Sequence, residues 1–518
     1  MTVFMHGGAD LDLCESEKKI GSALLFALLL GSIVSMSSTS QFSSVISSTG
    51  LIKYLPQVDV SVDFGRAMSV NNLSLAVHLG GEFDFAKWRN DANLRQKVAA
   101  SNFGLIRISI PEIQPCDYWN ETTHTGKYDW TKFDITIEQV LSIGSKPLLV
   151  IGMGNDETGY RLPKGMIGNY KGTGFPSNKS FGVYVADLVR HTNVDKKWNI
   201  RYWEVWNEVH FYTSSGVNLQ RIANFTKTFS NAARYMHNVD PSVLLGHGYS
   251  AIIPFFDYFL DNAQGFGFAS YHDYDGYSTL YFRPKYYKSE SEIINKASVI
   301  GCKDPGIWKT YSPTEMRQKW FERRGTQIPI LITETNMNAA AINGTDPRMQ
   351  TVFGAVWYAE KLRAAILEGV LYSAYFVLAS DHSPYWNTTE LTKGYGFGMI
   401  NSTSPYTEWY PYWTNYLIGN HLIAGDRIYP SSTSNFTCVS VLAWVNGNHY
   451  EVLLIGKTKS KALLNISIQI SEITNGTETL IYKIDENQDG IQFTRNTYVN
   501  PLSIILDGYS VVLVTIPF

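Results

Sequence analysis

The chain has 518 residues, with 43 Lys and Arg against 46 Asp and Glu, and a formal net charge of −3. That length exceeds one ordinary domain and predicts two. The near-neutral balance gives no ground for a nucleic-acid or anionic-membrane partner. Aromatic residues make up 14 %, with 13 Trp and 32 Tyr, which suits a large aromatic core or surfaces that pack on the apolar CH faces of sugar rings. Cys14, Cys116, Cys302 and Cys438 are too few and too scattered for a disulfide scaffold or a zinc site. Cys116 and Cys302 either share one bridge or remain two free thiols.

The first predicted element is an apolar run, residues 20–36, preceded by Lys18 and Lys19. It reads as a signal peptide or as an uncleaved membrane anchor, with residues 1–36 forming the leader. A Ser/Thr-rich linker, residues 37–55, follows and is expected to lack structure. Ten N-x-[ST] sites lie beyond the apolar run, at Asn72, Asn120, Asn178, Asn224, Asn343, Asn387, Asn401, Asn435, Asn465 and Asn475. Leader and sequons together predict a glycosylated protein that is extracellular or held at the cell surface.

Residues 56–423 alternate short apolar runs with amphipathic segments, the pattern of a parallel sheet with crossover helices. The strands are expected at Leu73–Leu79, Leu105–Ile110, Pro147–Ile151, Arg201–Val209, Val243–Gly246, Gly267–Tyr271, Pro329–Thr333 and Tyr372–Leu378. Helices are expected at Ala92–Ser101, Asp134–Ile143, Phe181–His191, Leu219–Val239 and Thr351–Glu368. Eight strand–helix repeats fit an α/β fold of the (β/α)₈ TIM-barrel type. The rival, an open doubly wound sheet, is disfavoured because no Gly-rich phosphate loop opens a helix. Residues 424–518 change pattern. Val439–Val445, Tyr450–Ile455, Ala462–Ile470, Leu480–Ile484 and Ser503–Ile516 read as strands with Asn/Gly turns, hence a C-terminal antiparallel β-sandwich.

Two strands end in carboxylic acids. Arg201–Val209 carries Asn207-Glu208, and the seventh strand runs into Thr333-Glu334-Thr335-Asn336. A carboxyl where a buried strand emerges keeps its proton more readily than in water, because the apolar wall disfavours its charge. That suits a proton donor. In a barrel, the C-terminal strand ends face one side, so Glu208 and Glu334 can meet across the mouth. A lone strand-end Glu is usually a loop or ion-pair residue; two with Asn207 and Thr333 beside them point to catalysis.

Trp203-Glu204-Val205-Trp206-Asn207-Glu208 and Thr333-Glu334-Thr335-Asn336 resemble the two motifs of the glycoside hydrolases of clan A, most closely family 39, the β-xylosidase and iduronidase family. The resemblance covers the barrel and, more loosely, the sandwich. It implies a retaining hydrolase of β-linked oligo- or polysaccharides, acting through a covalent glycosyl-enzyme. Glu208 would be acid and then base, and Glu334 the nucleophile. Asn207 would hold the sugar 2-hydroxyl, and Arg107 would keep Glu334 ionised. His272 and Tyr274 would hydrogen-bond the carboxylates or the substrate. His78, ending the first strand, and Trp386, beyond the eighth, are further candidates for substrate contact. The chain departs from the family in having Val209-His210 where a Pro follows the acid, and Leu378-Ala379-Ser380-Asp381 where the clan often has Trp. An endo-acting glycanase of the same clan and a carbohydrate-binding protein without turnover are the competing readings. Glu204 is expected as a structural partner inside the barrel, and His247 as a loop residue. Asp485–Gly490 reads as a hairpin turn rather than a calcium loop, because the closing glutamate is missing. With no H-E-x-x-H or G-x-S-x-G motif, no metal or other cofactor is expected.

Overall fold

The computed structural model describes residues 44–46, 52–79, 85–152, 161–167, 175–209, 212–213, 216–248, 250–275, 289–301, 309–337, 347–380, 397–459 and 462–518. The apolar run 20–36, Trp386, Cys14 and Cys302 lie outside these residues. Among the described residues no helix is long and apolar enough to cross a membrane. Part of the linker expected to lack structure forms a short antiparallel pair, Ser44–Ile46 with Ile52–Tyr54.

Eight strands form one parallel sheet: β1 (Ser74–Leu79), β2 (Leu105–Ser109), β3 (Lys146–Ile151), β4 (Tyr202–Asn207), β5 (Leu244–Gly248), β6 (Ala269–Tyr274), β7 (Ile330–Asn336) and β8 (Tyr372–Tyr375). Their order is β5-β4-β3-β2-β1-β8-β7-β6. The ring closes between β5 and β6 through the Leu245–Phe266 bridge and the Gly267 N–H donating to Leu245 O at 2.7 Å. This is the expected barrel. Each strand matches its predicted segment apart from its ends, where apolarity continues into loop residues that make no ladder bonds. Helix Leu219–Val239 has the predicted bounds.

The barrel interior is filled by Ala76, Leu105, Leu148, Val150, Tyr202, Phe268, Leu331, Tyr372 and Ala374. Phe268 fills the space across from β5, where a Cβ on Gly246 would stand 2.2 Å from its ring. This apolar plug forms the floor on which the polar strand ends rest.

The sandwich departs from its expected bounds. Its seven-stranded sheet ends in Ser69–Val70, which pairs with Arg427–Tyr429, and its four-stranded sheet holds Gln57–Val62 between Ser431–Thr433 and Leu463–Ile470. The N-terminal part of the stretch assigned to the barrel, 56–423, is therefore sandwich. Its strand reads Gln-Val-Asp-Val-Ser-Val, a half-buried alternation that suits an antiparallel face and not a barrel strand buried on both sides. The segment Ser503–Ile516 is two strands, Leu502–Asp507 and Ser510–Pro517, split by the turn at Gly508. Glu478–Asp485 and Gln488–Thr497 pair as a hairpin across Asp485–Gln488, the turn expected there.

The seven-stranded sheet is a middle layer. Val441, Ala443, Val445, Val452, Leu454, Val512 and Val514 face the smaller sheet. Leu442, Trp444, Leu453, Ile455, Val511 and Leu513 belong to the core shared with the barrel helices. Burial on both faces explains why these strands read as nearly unbroken apolar runs. Helix Val352–Leu367 lies beneath this sheet and is buried almost all round.

The chain is therefore expected not to yield an independent barrel when residues 424–518 are removed. A 57–423 fragment should aggregate or elute as a large species in size-exclusion chromatography. A monomeric fragment with one cooperative melting transition would contradict this packing.

Candidate active site

Residues at the C-terminal ends of β1, β2, β4, β6 and β7 converge on one guanidinium. Arg107, from β2, is fully buried. Its Nε donates to Glu204 Oε2 at 2.7 Å, Nη1 to Glu334 Oε1 at 2.7 Å, and Nη2 to Asn207 Oδ1 at 2.7 Å. Burial alone would lower the Arg107 pKa, but the charges of Glu204 and Glu334 outweigh it and raise it. Glu204 is thus the structural partner inside the barrel.

Two irregularities aim the functional groups. A regular β4 would put Glu204, Trp206 and Glu208 on one face and Asn207 on the other. Instead the register with β5 shifts between Glu204 and Asn207, and Trp206 has φ +76°. The bulge turns Asn207 toward Arg107 and sends the Trp206 ring out against Phe175 and Phe181. A Cβ at Gly152 would lie 2.8 Å from that ring, so the residue that follows β3 must be glycine. Glu208 follows with φ +42°. Left-handed backbone at two non-glycine residues costs on the order of 1–3 kcal/mol each, a strain concentrated at functional sites. In β7 a second shift makes Thr333 the extra residue, so that Glu334 stands opposite His272.

The carboxylates meet over these bulges. One carboxylate oxygen of Glu208, one of Glu334 and a ring nitrogen of His272 lie within 4.8 Å of one another. His272 Nδ1 is 2.6 Å from Glu208 Oε1 and 3.4 Å from Glu334 Oε2. Tyr274 O–H donates to Glu334 Oε2 at 2.7 Å. The Glu208 side chain is 41 % exposed, and that of Glu334 only 7 %. One acid can therefore exchange protons with solvent, while the other is fixed by donors on both oxygens.

The two histidines differ in charge. Burial would lower the His272 pKa, yet Glu334 and Glu208 raise it above 6.5. His78 is pushed well below 6.5 by burial and by the neighbouring Arg107 and His272. It is neutral, 3.4 Å from Arg107 Nη1 and 4.0 Å from Glu334 Oε1. Tyr274 is pushed well above 10 by burial and by both carboxylates, so its phenol stays a donor.

Seven of the eight expected site residues are thus in one cluster: Glu208, Glu334, Asn207, Arg107, His272, Tyr274 and His78. Trp386 lies outside the described residues. His247, expected in a loop, is instead a buried β5 residue whose Nδ1 is 3.1 Å from Val205 O; burial holds its pKa down at about 3. Phe376, just after β8, was not anticipated. Its ring lies 5.1 Å from His78 and 6.3 Å from Tyr274, beside the cluster. Its signal was the Tyr375-Phe376 pair, hidden inside an expected strand that ran to Leu378. Cys116 is a free buried thiol, so no bridge joins it to Cys302; Cys438 is disulfide-bonded. Glu208, His272 and Glu334 have the donor types of a metal site. However, Arg107 and Tyr274 already occupy both Glu334 oxygens, and the guanidinium charge opposes a cation there.

No protein-family model and no curated protein matches the sequence. Solved structures do match the fold. A monomeric β-xylosidase from Caulobacter crescentus CB15 aligns with a TM-score of 0.62 at 14 % identity over 89 % of this chain and 99 % of its own. A family 39 glycoside hydrolase from Xanthomonas axonopodis pv. citri aligns with a TM-score of 0.62 at 16 % identity, over 89 % and 97 %. An α-L-arabinofuranosidase from Thermotoga maritima aligns with a TM-score of 0.59 at 13 % identity, over 89 % and 100 %.

The His272 charge has a sign that can be tested. The raised pKa contributes stability that is complete below pH about 6.5 and is lost as pH rises through the folded value. Melting temperature followed from about pH 5.5 to 8.5 should decline in the native protein and decline less in His272→Gln. Equal slopes would remove the imidazolium from this network. In fold, the chain is similar to the clan A glycoside hydrolases, family 39 enzymes among them.

Proposed function

We propose that the protein is a retaining glycoside hydrolase that cleaves β-linked glycans by double displacement. The observation that carries this reading is the approach of Glu208 and Glu334, whose nearest functional atoms share a 4.8 Å cluster with His272. Retaining enzymes hold their two carboxyl groups about 5–5.5 Å apart, whereas inverting enzymes need about 6.5–9.5 Å to admit a water. A β-xylosidase and an α-L-arabinofuranosidase among the matched folds support glycoside hydrolysis.

Glu334 is the nucleophile. Arg107 and Tyr274 each hold one of its oxygens, which fixes the carboxylate for attack at the anomeric carbon. Glu208, the more exposed acid, protonates the leaving oxygen as the glycosyl–Glu334 bond forms. Esterification removes the Glu334 charge, so Glu208 can then carry charge itself and draw a proton from the attacking water as the glycosyl–Glu334 bond breaks and releases the Glu334 carboxylate. Asn207, held by Arg107, is available through its amide to the 2-hydroxyl, a contact that strengthens in the oxocarbenium-like transition state. Phe376 and the neutral His78 form an apolar and polar wall for the sugar.

The protein acts outside the cytoplasm, delivered by the apolar run 20–36 as a cleaved signal or a retained anchor. Exposed sequons at Asn72, Asn120, Asn178, Asn224 and Asn475 support this, as does the disulfide at Cys438, a bond favoured in oxidising compartments. Asn465 is excluded from glycosylation in the folded chain, because it is buried against Ser503 in the small sheet.

The test is turnover on a panel of aryl β-glycosides. Glu208→Gln and Glu334→Gln should each lower kcat by about 10³-fold or more. A fluorosugar should label Glu334, and azide should restore turnover to Glu208→Ala on substrates with a good leaving group. Near-normal rates in Glu334→Gln would overturn the nucleophile assignment. Absence of both labelling and hydrolysis would leave a binding protein, because a pure binder is not esterified.

A further inference from the structure

The site has an anchor on the far side of its strand. Along β6, His272 and Tyr274 point inward to the carboxylates, so Asp273, and Asp275 just beyond the strand, point outward into the helix layer. There they meet a single cation. Lys361 Nζ donates to Asp273 Oδ2 at 3.0 Å, to Asp275 Oδ1 at 3.0 Å and to Val299 O at 3.1 Å. Trp357 Nε1 donates to Asp275 Oδ2 at 2.7 Å, and the Gly301 N–H donates to Asp273 Oδ2 at 3.3 Å. Lys361 has no exposed side-chain surface, and the Asp273 and Asp275 side chains are each 5 % exposed.

Lys361 and Trp357 lie one turn apart on helix Val352–Leu367. That helix is buried almost all round, between neighbouring barrel helices and the sandwich, where Phe353 packs edge-to-face on Tyr509 at 5.1 Å between ring centres. Two carboxylates against one ammonium is an arrangement that pure packing would not select, since an apolar substitute of equal volume is often as stable. What it supplies is direction. Each aspartate brackets Tyr274 in sequence, and each is tied to the same rigid helix.

We propose that Lys361 is a positioning residue for the active site: acting from outside the barrel through Asp273 and Asp275, it fixes the end of β6 so that His272 and Tyr274 reach Glu208 and Glu334. The inference rests on the glycosidase reading for its kinetic readout only. Burial holds the Asp275 pKa up at about 6 against the pull of Lys361, in keeping with a tightly enclosed group.

The experiment compares Lys361→Met, Lys361→Arg and the double variant Lys361→Met/Asp275→Asn, which restores the net charge of the cluster. Each is measured per folded molecule on an aryl glycoside, alone and combined with Tyr274→Phe. Lys361→Met should lower kcat by about 10–100-fold while KM changes by less than about threefold, the signature of misplaced groups. The loss should not multiply with that of Tyr274→Phe, because both act through the same phenol. Lys361→Arg should recover part of kcat. If Lys361→Met fails to fold, the double variant carries the same comparison. Unchanged kcat per folded molecule, or fully multiplicative losses, would overturn the proposal and leave Lys361 a stability element. Hydrogen exchange of the 271–275 amides, relative to the rest of the barrel, separates the two readings. Faster exchange in the Lys361 variants supports positioning even if the native protein hydrolyses no glycoside, and unaltered exchange refutes it.

Discussion

The structure depends on one buried guanidinium. Arg107 joins β2 to β4 through Glu204 and Asn207, and to β7 through Glu334. A charge this deep is tolerated only when every donor it can spend is matched and its partners are rigid. The apolar plug below, with Phe268 and Tyr202 at its centre, supplies that rigidity and excludes water from beneath. Removing Arg107 would leave two buried carboxylates facing each other, so the same interaction that orders the barrel mouth also sets its electrostatics.

Around that charge, a run of neighbours is driven to different protonation states. His78 is neutral, His272 is favoured as a cation, and Tyr274 keeps its phenolic proton. The differences come from position. His78 faces the guanidinium, whereas His272 lies between two carboxylates. The result is one fixed acid with both oxygens held, and one acid open to solvent.

The barrel and the sandwich share one buried core. The seven-stranded sheet buries a face on helices of the barrel, and one of those helices carries Lys361 to the back of β6. The sandwich is closed by strands from both ends of the chain, Gln57–Val62 and Leu463–Ile470 lying side by side. That topology explains why an interface between domains can be as dry as a domain core.

Much of this is legible in the sequence. Alternating apolar and amphipathic segments locate the eight strands, because a parallel strand buried on both faces must be a continuous apolar run. Carboxylates at two strand ends, with Asn207 and Thr333 beside them, mark the site, since polar groups ending such runs need a reason to be there. Periodicity could not show the bulges at Trp206 and Thr333, because each is a single-residue change of register that leaves composition untouched. Nor could it assign Gln57–Val62 to a sheet formed by residues some four hundred positions later, or pair Lys361 with Asp273 and Asp275. Local pattern reports which face of an element is apolar. Which elements meet, and therefore which charges neutralise one another, follows only from the closing of the ring and the packing of the sandwich against it.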